Sequence, residues 1–380
     1  MTHVAIVGCG IVGAAIAYEL SEIPGLSVTV FDRQPPAQAS TGAALGVLMG
    51  AISQKTRGNN LRLRRLSIER YNAWIPALEA ATGQAIRFNR QGILRLCFEG
   101  EDLARWQQLA AVRQTQGWPI EILDCAQLTA DYPQLNLEQV TAAIYSPCDR
   151  QVDPTALTLA LVAAAAQKGV TFQFDTIVTG IPPMERITPP SESAVQRCQS
   201  VETSVGLQSI DWLVIAAGLG STPLTAALQQ PVDIRPVLGQ AAQVKLHSPL
   251  GKSTLQPVIT GDDVHIVPLG QGEYWVGATV EFPTGTTAAT PSGPAFDAVM
   301  YKAIAFCPAL ADATIVRTWS GLRPRPEGRP APIVERLPGY ENVLLATGHY
   351  RNGVLLAPAT AVKIRQMIDG DVLNDKTVAP

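Results

Sequence analysis

The chain has 380 residues, 47% of them hydrophobic and 16% charged, with a formal net charge of −3 at pH 7 and a pI near 5.9. That length exceeds the usual reach of one hydrophobic core and predicts two domains, while the composition excludes a disordered chain and the charge balance excludes a nucleic-acid footprint. No apolar run is long enough to span a bilayer, and six scattered cysteines without a CxxC pair argue against a metal or disulfide framework and for a reducing, cytoplasmic setting.

THVAIVG (2–8) reads as a short apolar strand, IVGAAIAYELSE (11–22) has helical spacing, and LSVTVFD (26–32) is a second strand. Strand, helix, strand implies a parallel sheet with a right-handed crossover. The apolar stretch 5–20 imitates a signal peptide, but it lacks a basic start and runs into a strand instead of a cleavage site. Between the first strand and the helix, Gly8, Gly10 and Gly13 form G-x-G-x-x-G. Gly8 permits the tight turn, Gly10 lets the backbone approach a pyrophosphate, and Gly13 allows close helix–strand packing. The helix N-terminus then stabilises phosphate charge. Asp32 ends the second strand, where an acid accepts from ribose hydroxyls. Together they predict a dinucleotide site; the glycines alone do not separate NAD from FAD.

Residues 58–81 read as a helix, whose Arg62, Arg64, Arg65 and Arg70 are expected on a solvated face, with an anion-binding patch as the alternative. GILRLCF (92–98) reads as a strand and 101–117 as a helix. PTALTLALVAAAAQKG (154–169) is helical, VTFQFDTIV (170–178) a strand, and PPMERITPPSES (182–193) a surface loop. WLVIAAGLGS (212–221) is a buried strand ending in glycines. From about 236 to 319, short strands separated by turn residues suggest an antiparallel sheet. The closing segment, NVLLATGHYRNGVLLAPATAVKIRQMI, returns to strand, loop, helix. The fold class is therefore α/β. A nucleotide-binding domain (1–85, 146–235 and 320–380) encloses an inserted α+β substrate domain (86–145 and 236–319) on a mixed or antiparallel sheet.

ASTGAALGVL (39–48), WLVIAAGLGS (212–221), the GLRP of 321–324 and GHYRNGVLLAP (348–358) resemble the D-amino-acid oxidase superfamily of flavoproteins. The resemblance is strongest to the glycine oxidases that serve thiamine-thiazole biosynthesis. It covers nearly the whole chain and is loosest over 99–145. It implies a Rossmann-type domain with a non-covalent FAD. Gly8, Gly10, Ile11, Val12 and Gly13 would hold the pyrophosphate, with Asp32 and Arg33 at the adenosine ribose. Thr41, Gly42, Ala43, Ala44, Leu45, Gly46 and Val47 would pass beside the flavin. Val178 would lie at the adenine, Ala217 and Gly218 near the pyrophosphate, and His349 in the turn that wraps the flavin edge. The backbone N–H groups of Asn352, Gly353, Val354 and Leu355 would stabilise negative charge on the reduced ring. No cysteine of the GLRPRPEG stretch offers a covalent tether.

The resemblance further implies that Arg323 binds the carboxylate of an amino acid and that Arg351 stands at the flavin–substrate edge, an arginine fork being suited to a carboxylate. Arg323 and Arg325 fall in what reads as a proline-rich loop. The chain departs from the family's pattern at His265, where amino-acid oxidases commonly place a tyrosine. Asp263, two residues earlier, is expected on the same strand face. The expected activity is oxidation of glycine, sarcosine or a small D-amino acid, with molecular oxygen as acceptor and a possible homo-oligomer. The alternatives are a dehydrogenase that passes electrons to a quinone or protein, and a non-catalytic flavin-binding assembly protein.

Overall fold

In the computed structural model, which describes residues 1–182, 195–283 and 290–375, the opening elements are Thr2–Val7, Ile11–Leu20 and Leu26–Phe31. Most of the proline-rich stretch 182–193 lies outside the described residues. The first strand pairs in parallel with Leu26–Phe31 on one side and with Trp212–Ile215 on the other. A six-stranded sheet results, in the order Ile333–Arg336, Val343–Thr347, Trp212–Ile215, Thr2–Val7, Leu26–Phe31, Thr171–Gln173. Only Ile333–Arg336 runs antiparallel to its neighbour. Trp212–Ile215 and Val343–Thr347 are buried at every position, which their unbroken apolar sequences require of strands covered on both faces. On one face, Ile16, Ile75, Leu161 and Ile364 bring four helices into a common core. On the other, Phe31, Leu213 and Ile215 pack with Val201 of a small three-stranded sheet, Val178–Gly180, Ser200–Thr203 and Gly206–Ser209.

The second body is an eight-stranded sheet, ordered Thr314–Pro326, Ile234–Lys245, Glu273–Gly277, Val264–Gly270, Val258–Gly261, Ile93–Phe98, Val140–Ser146, Glu121–Leu123. Its pairs are antiparallel except Val258–Gly261 with Ile93–Phe98. The long strands Ile234–Lys245 and Thr314–Pro326 run through the boundaries expected at 235/236 and 319/320, so two continuous strands tie the bodies together. Helix Gly293–Phe306 covers this sheet, burying Val299, Ala303 and Phe306 against Leu94, Ile266 and Val276. The sequence reading of short strands alone over 236–319 omits that helix. Its start signals are nonetheless present: Ser292 caps Ala295 N–H, and Pro294 lies in the first turn.

The GLRPRP stretch is a strand and not a proline-rich loop. Proline cannot donate to a ladder, but Thr314–Pro326 is an edge strand with one neighbour, so Pro324 and Pro326 are tolerated there.

Candidate active site

The nucleotide frame is built around the first helix. A Cβ at Gly13 would lie 1.9 Å from the Gly8 carbonyl oxygen, and one at Gly8 would lie 2.5 Å from that of Ala216, so both positions need glycine for packing. Gly10 is the N-cap and supplies no side-chain cap; Ile11 N–H finds Thr41 Oγ1 at 3.0 Å. Val12 and Gly13 present N–H groups of a first turn that has no intrahelical acceptor for them. Asp32 is held against the turn, accepting from Cys9 N–H at 2.6 Å and from Gln34 N–H at 3.0 Å. A carboxylate with one bond on each oxygen keeps acceptor capacity for two hydroxyls. A phosphate at the helix start and a ribose at Asp32 fit these donors and acceptors. Arg33 is exposed beside Asp32, and Ala217 and Gly218 follow the central strand, with Gly218 in the left-handed region at φ 56°.

The segment Thr41–Val47 is pinned between both bodies. Ser40 Oγ donates to the Leu322 carbonyl at 2.6 Å, Trp319 Nε1 donates to the Ala43 carbonyl at 3.1 Å, and a Cβ at Gly321 would lie 2.2 Å from that of Ala43. Gly42 and Ala44 complete its turn, Leu45 is buried, and Gly46 at φ 70° leaves no space for a Cβ beside the Val152 carbonyl. The strand that carries Arg323 thus also carries the seat of this loop.

The turn Gly348–Asn352 leads into helix Gly353–Asp375. Gly348 is left-handed at φ 64° and packs against Ile234 and Pro326. His349 is 3% exposed, and its Nε2 lies 2.9 Å from Thr360 Oγ1; burial lowers its pKa to about 4, so the ring is a neutral strut of the turn. Pro358 cannot donate to the Val354 carbonyl four residues before it, and the buried Tyr71 hydroxyl supplies the missing bond. The helix start that offers Gly353, Val354 and Leu355 is therefore fixed from helix Asn59–Thr82.

Between the two bodies lies a cavity of about 1080 Å³. Val47, Met49, Ile52, Arg64, Arg351 and Asn352 line it from the nucleotide side, and Phe98, Trp106, His265 and Tyr301 from the other. Arg351 and His265, distant in sequence, meet here. Arg351 is paired with Asp263 at 3.7 Å. Asp263 belongs to the two-residue turn between Val258–Gly261 and Val264–Gly270, with φ 61°, so the expected strand alternation does not govern it. Asp263 approaches Arg351 as part of that turn. Burial, then the charge of Arg351, lowers the pKa of His265 to about 4, and its buried Nδ1 has no hydrogen-bond partner.

Arg323 is set beside this wall and is not itself a lining residue. Its guanidinium lies over Gly239, where a Cβ would come within 2.3 Å, and Nη1 donates to the Leu238 carbonyl at 3.0 Å. Burial and then the charge of Arg351 lower its pKa, so the two guanidiniums repel one another. A carboxylate between them relieves that repulsion. Arg325 is instead engaged by Glu327 at 3.1 Å and lies over the Phe282 ring. Val178 lies on the small three-stranded sheet and packs on the core that holds Phe31 and Ile215.

A family model described as "FAD dependent oxidoreductase" matches residues 3–367. The chain belongs to this family, DAO. FAD is its cofactor. This DAO-family chain is 34% identical over 388 residues to the "Bifunctional protein ThiO/ThiG" of Synechocystis sp., covering 100% of this chain and 52% of that protein. The chain thus spans about half the length of the ThiO/ThiG relatives it matches. It is 28% identical to the glycine oxidase of Geobacillus kaustophilus over 97% of this chain and 94% of that one. The crystal structure of glycine oxidase from Bacillus cereus ATCC 14579 superposes with a TM-score of 0.83 at 27% identity, covering 98% of this chain and 96% of that one. No described helix is long and apolar enough to cross a membrane.

Sequence reasoning missed Arg64 as a lining residue and placed it on a solvated face. The signal was present: the buried stripe of its helix, Leu78, Ile75, Tyr71, Ile68, Ser67, continues backwards at helical spacing onto Arg64, which is 8% exposed.

Proposed function

We propose that this chain oxidises a small amino acid (glycine, sarcosine or a small D-amino acid) and passes the electrons to molecular oxygen. The observation that carries the reading is the meeting of Arg351 and a neutral His265 on one cavity wall, within reach of the charge of Arg323 and beside a dinucleotide frame. Likeness to glycine oxidases over nearly the whole chain supports it.

Bound non-covalently, FAD supplies a ring that accepts two electrons as a hydride. Gly10, Val12 and Gly13 would hold its diphosphate by backbone N–H groups, with the N–H of Ile11 tied to Thr41, and Asp32 would hold the ribose. Arg351 and Arg323 bind the substrate carboxylate and orient Cα, since a guanidinium fork matches carboxylate geometry. His265, neutral above its lowered pKa, donates one ring N–H to the same carboxylate where other amino-acid oxidases use tyrosine. No basic side chain is needed at Cα, because the lone pair of a neutral amine drives hydride departure and the amine becomes an imine. Water then converts the imine to an oxo acid and ammonia or an amine. The N–H groups of Gly353 to Leu355 sit at the positive end of a long helix and favour the negative charge that reduction brings, whereas that of Asn352 is donated to the His349 carbonyl. Trp106 and Phe98 give the cavity an apolar side. The same resemblance attaches the activity to thiamine-thiazole formation.

Peroxide and oxo acid measured together under air test the acceptor. Equal yields of the two from glycine or D-alanine are expected. Turnover that yields oxo acid without peroxide, and accelerates with a soluble quinone, assigns the chain to the dehydrogenases instead.

A further inference from the structure

The charges on the cavity wall are not evenly matched. Arg95 pairs with Glu101 at 2.8 Å, Lys302 with Asp262 at 2.9 Å and Arg351 with Asp263 at 3.7 Å. Arg64 lines the same cavity and, among the described residues, has no carboxylate within 4.0 Å. Its guanidinium is anchored by neutral acceptors instead. Nε donates to Asn60 Oδ1 at 2.7 Å, Nη1 to the Met49 carbonyl, and Nη2 to Asn352 Oδ1 at 3.2 Å. These bonds use three of the five N–H donors of a guanidinium and leave one on each terminal nitrogen.

Behind that wall, Asp149 accepts from Gly50, Ala51 and Ile52 N–H, and the fully buried Arg113 donates to the Ala51, Ser53 and Lys55 carbonyls. These bonds fix the segment that carries Met49, Ile52, Ser53 and Gln54 to the cavity. Arg64 and Arg113 against the single Asp149 leave one positive charge uncompensated on this side. A buried cation without a counter-charge is costly, and an anion entering the cavity offsets that cost. Asn352 sets the spacing: its side chain touches Arg64, and its chain neighbour is Arg351. The two guanidiniums thus stand on one cavity.

We propose that Arg64 is a second anion subsite, for a distal carboxylate of the substrate, so that the preferred substrate is a dicarboxylic amino acid. The inference rests on the reading of the cavity as an amino-acid site. The α-carboxylate lies at Arg351 and Arg323, and the side-chain carboxylate reaches the free N–H groups of Arg64, with Ser53 and Gln54 as neutral neighbours.

The test uses the holoenzyme and compares kcat/KM for D-aspartate with D-asparagine and for D-glutamate with D-glutamine, pairs alike in shape and different in charge. Hydrogen bonds to a charged group lead us to expect the acid to win the better pair by roughly tenfold to a hundredfold. Arg64→Gln brings that ratio close to one, and Arg64→Lys leaves it intermediate. A wild-type ratio at or below one in both pairs overturns the proposal. So does an Arg64→Gln variant that lowers acid and amide equally, the result expected if this charge serves the flavin or the fold. Should Arg64→Gln not fold, titration of the wild-type flavin spectrum decides: succinate must bind more tightly than succinamate, and equal affinities contradict the proposal. If glycine or D-alanine reduces the flavin while the acids hold no advantage, only this inference falls. If no amino acid reduces it, the amino-acid reading itself falls.

Discussion

Asp263 stands 3.7 Å from Arg351 with its side chain 85% exposed, in a turn where both Asp262 and Asp263 have positive φ. An exposed pair of this kind contributes about 0–1 kcal/mol. It nevertheless occupies the guanidinium that a substrate carboxylate must reach. Asp263→Asn is therefore expected to lower KM for small amino acids by roughly two- to fivefold with kcat little changed, measured by steady-state kinetics; a raised KM would mean that Asp263 orients Arg351 productively. At this scale the sequence was informative wherever a motif fixes a residue's neighbours. Asp32 follows its strand and accepts from the glycine turn, Thr41 meets the N–H of Ile11, and Arg351 lines the cavity. Asp263 was misplaced because strand alternation was extended one residue past the end of a strand. Arg325 went unresolved because its partners, Glu327 and Phe282, are read from folding and not from spacing.

At the scale of elements, the site depends on how helix Asn59–Thr82 supports the start of helix Gly353–Asp375. Pro358 leaves the Val354 carbonyl without its helical donor, and the fully buried Tyr71 hydroxyl replaces it. Tyr71→Phe is expected to lower stability by about 1–3 kcal/mol, the cost of a buried carbonyl left unpaired. Urea unfolding checks this, and an unchanged midpoint would show that another donor reaches Val354. Because that helix start faces the flavin edge in the proposed site, the same variant should also hold FAD less tightly. Pro358 and Tyr71 are both visible in the sequence, but nothing in their spacing of 287 positions links them. The second half of edge strand Thr314–Pro326, from Gly321 on, reads as a loop because prolines signal loops unless a strand has only one neighbour, and neighbours are a property of the sheet. The buried Arg64 is hidden for a related reason: it continues a helical stripe whose charged members read as a solvated face.

The whole molecule couples two sheets through strands that belong to both regions of the chain, and its stability should carry a signature in acid. His265 and His349 have pKa values lowered to about 4, each chiefly by burial, against about 6.5 when unfolded. Between those values the unfolded chain binds more protons than the folded one, so stability rises with pH and is lost as pH falls from about 6.5 to about 4. Thermal unfolding across that window should show a falling Tm, and His349→Gln should flatten part of the slope; a Tm independent of pH from 6.5 to 4 would contradict the burial of both rings. At this scale the parallel sheet was legible from three distant segments, each of which brought a buried strand. The extent of the second sheet was not, because its pairings join residues across 93–98, 234–277 and 314–326.

In the proposed site Arg351, Arg323 and His265 present an amino acid to bound FAD. Anaerobic titration of the purified yellow holoenzyme with glycine, sarcosine and D-alanine tests it most directly, because reduction of the flavin requires no acceptor. Loss of the flavin's visible absorbance is expected, saturating with at least one of these amino acids, and slower and weaker when Arg323→Ala removes half of the carboxylate clamp. A flavin that stays oxidised with every small and dicarboxylic amino acid, while dithionite reduces it normally, would contradict the account and leave a flavin-binding protein that does not oxidise amino acids.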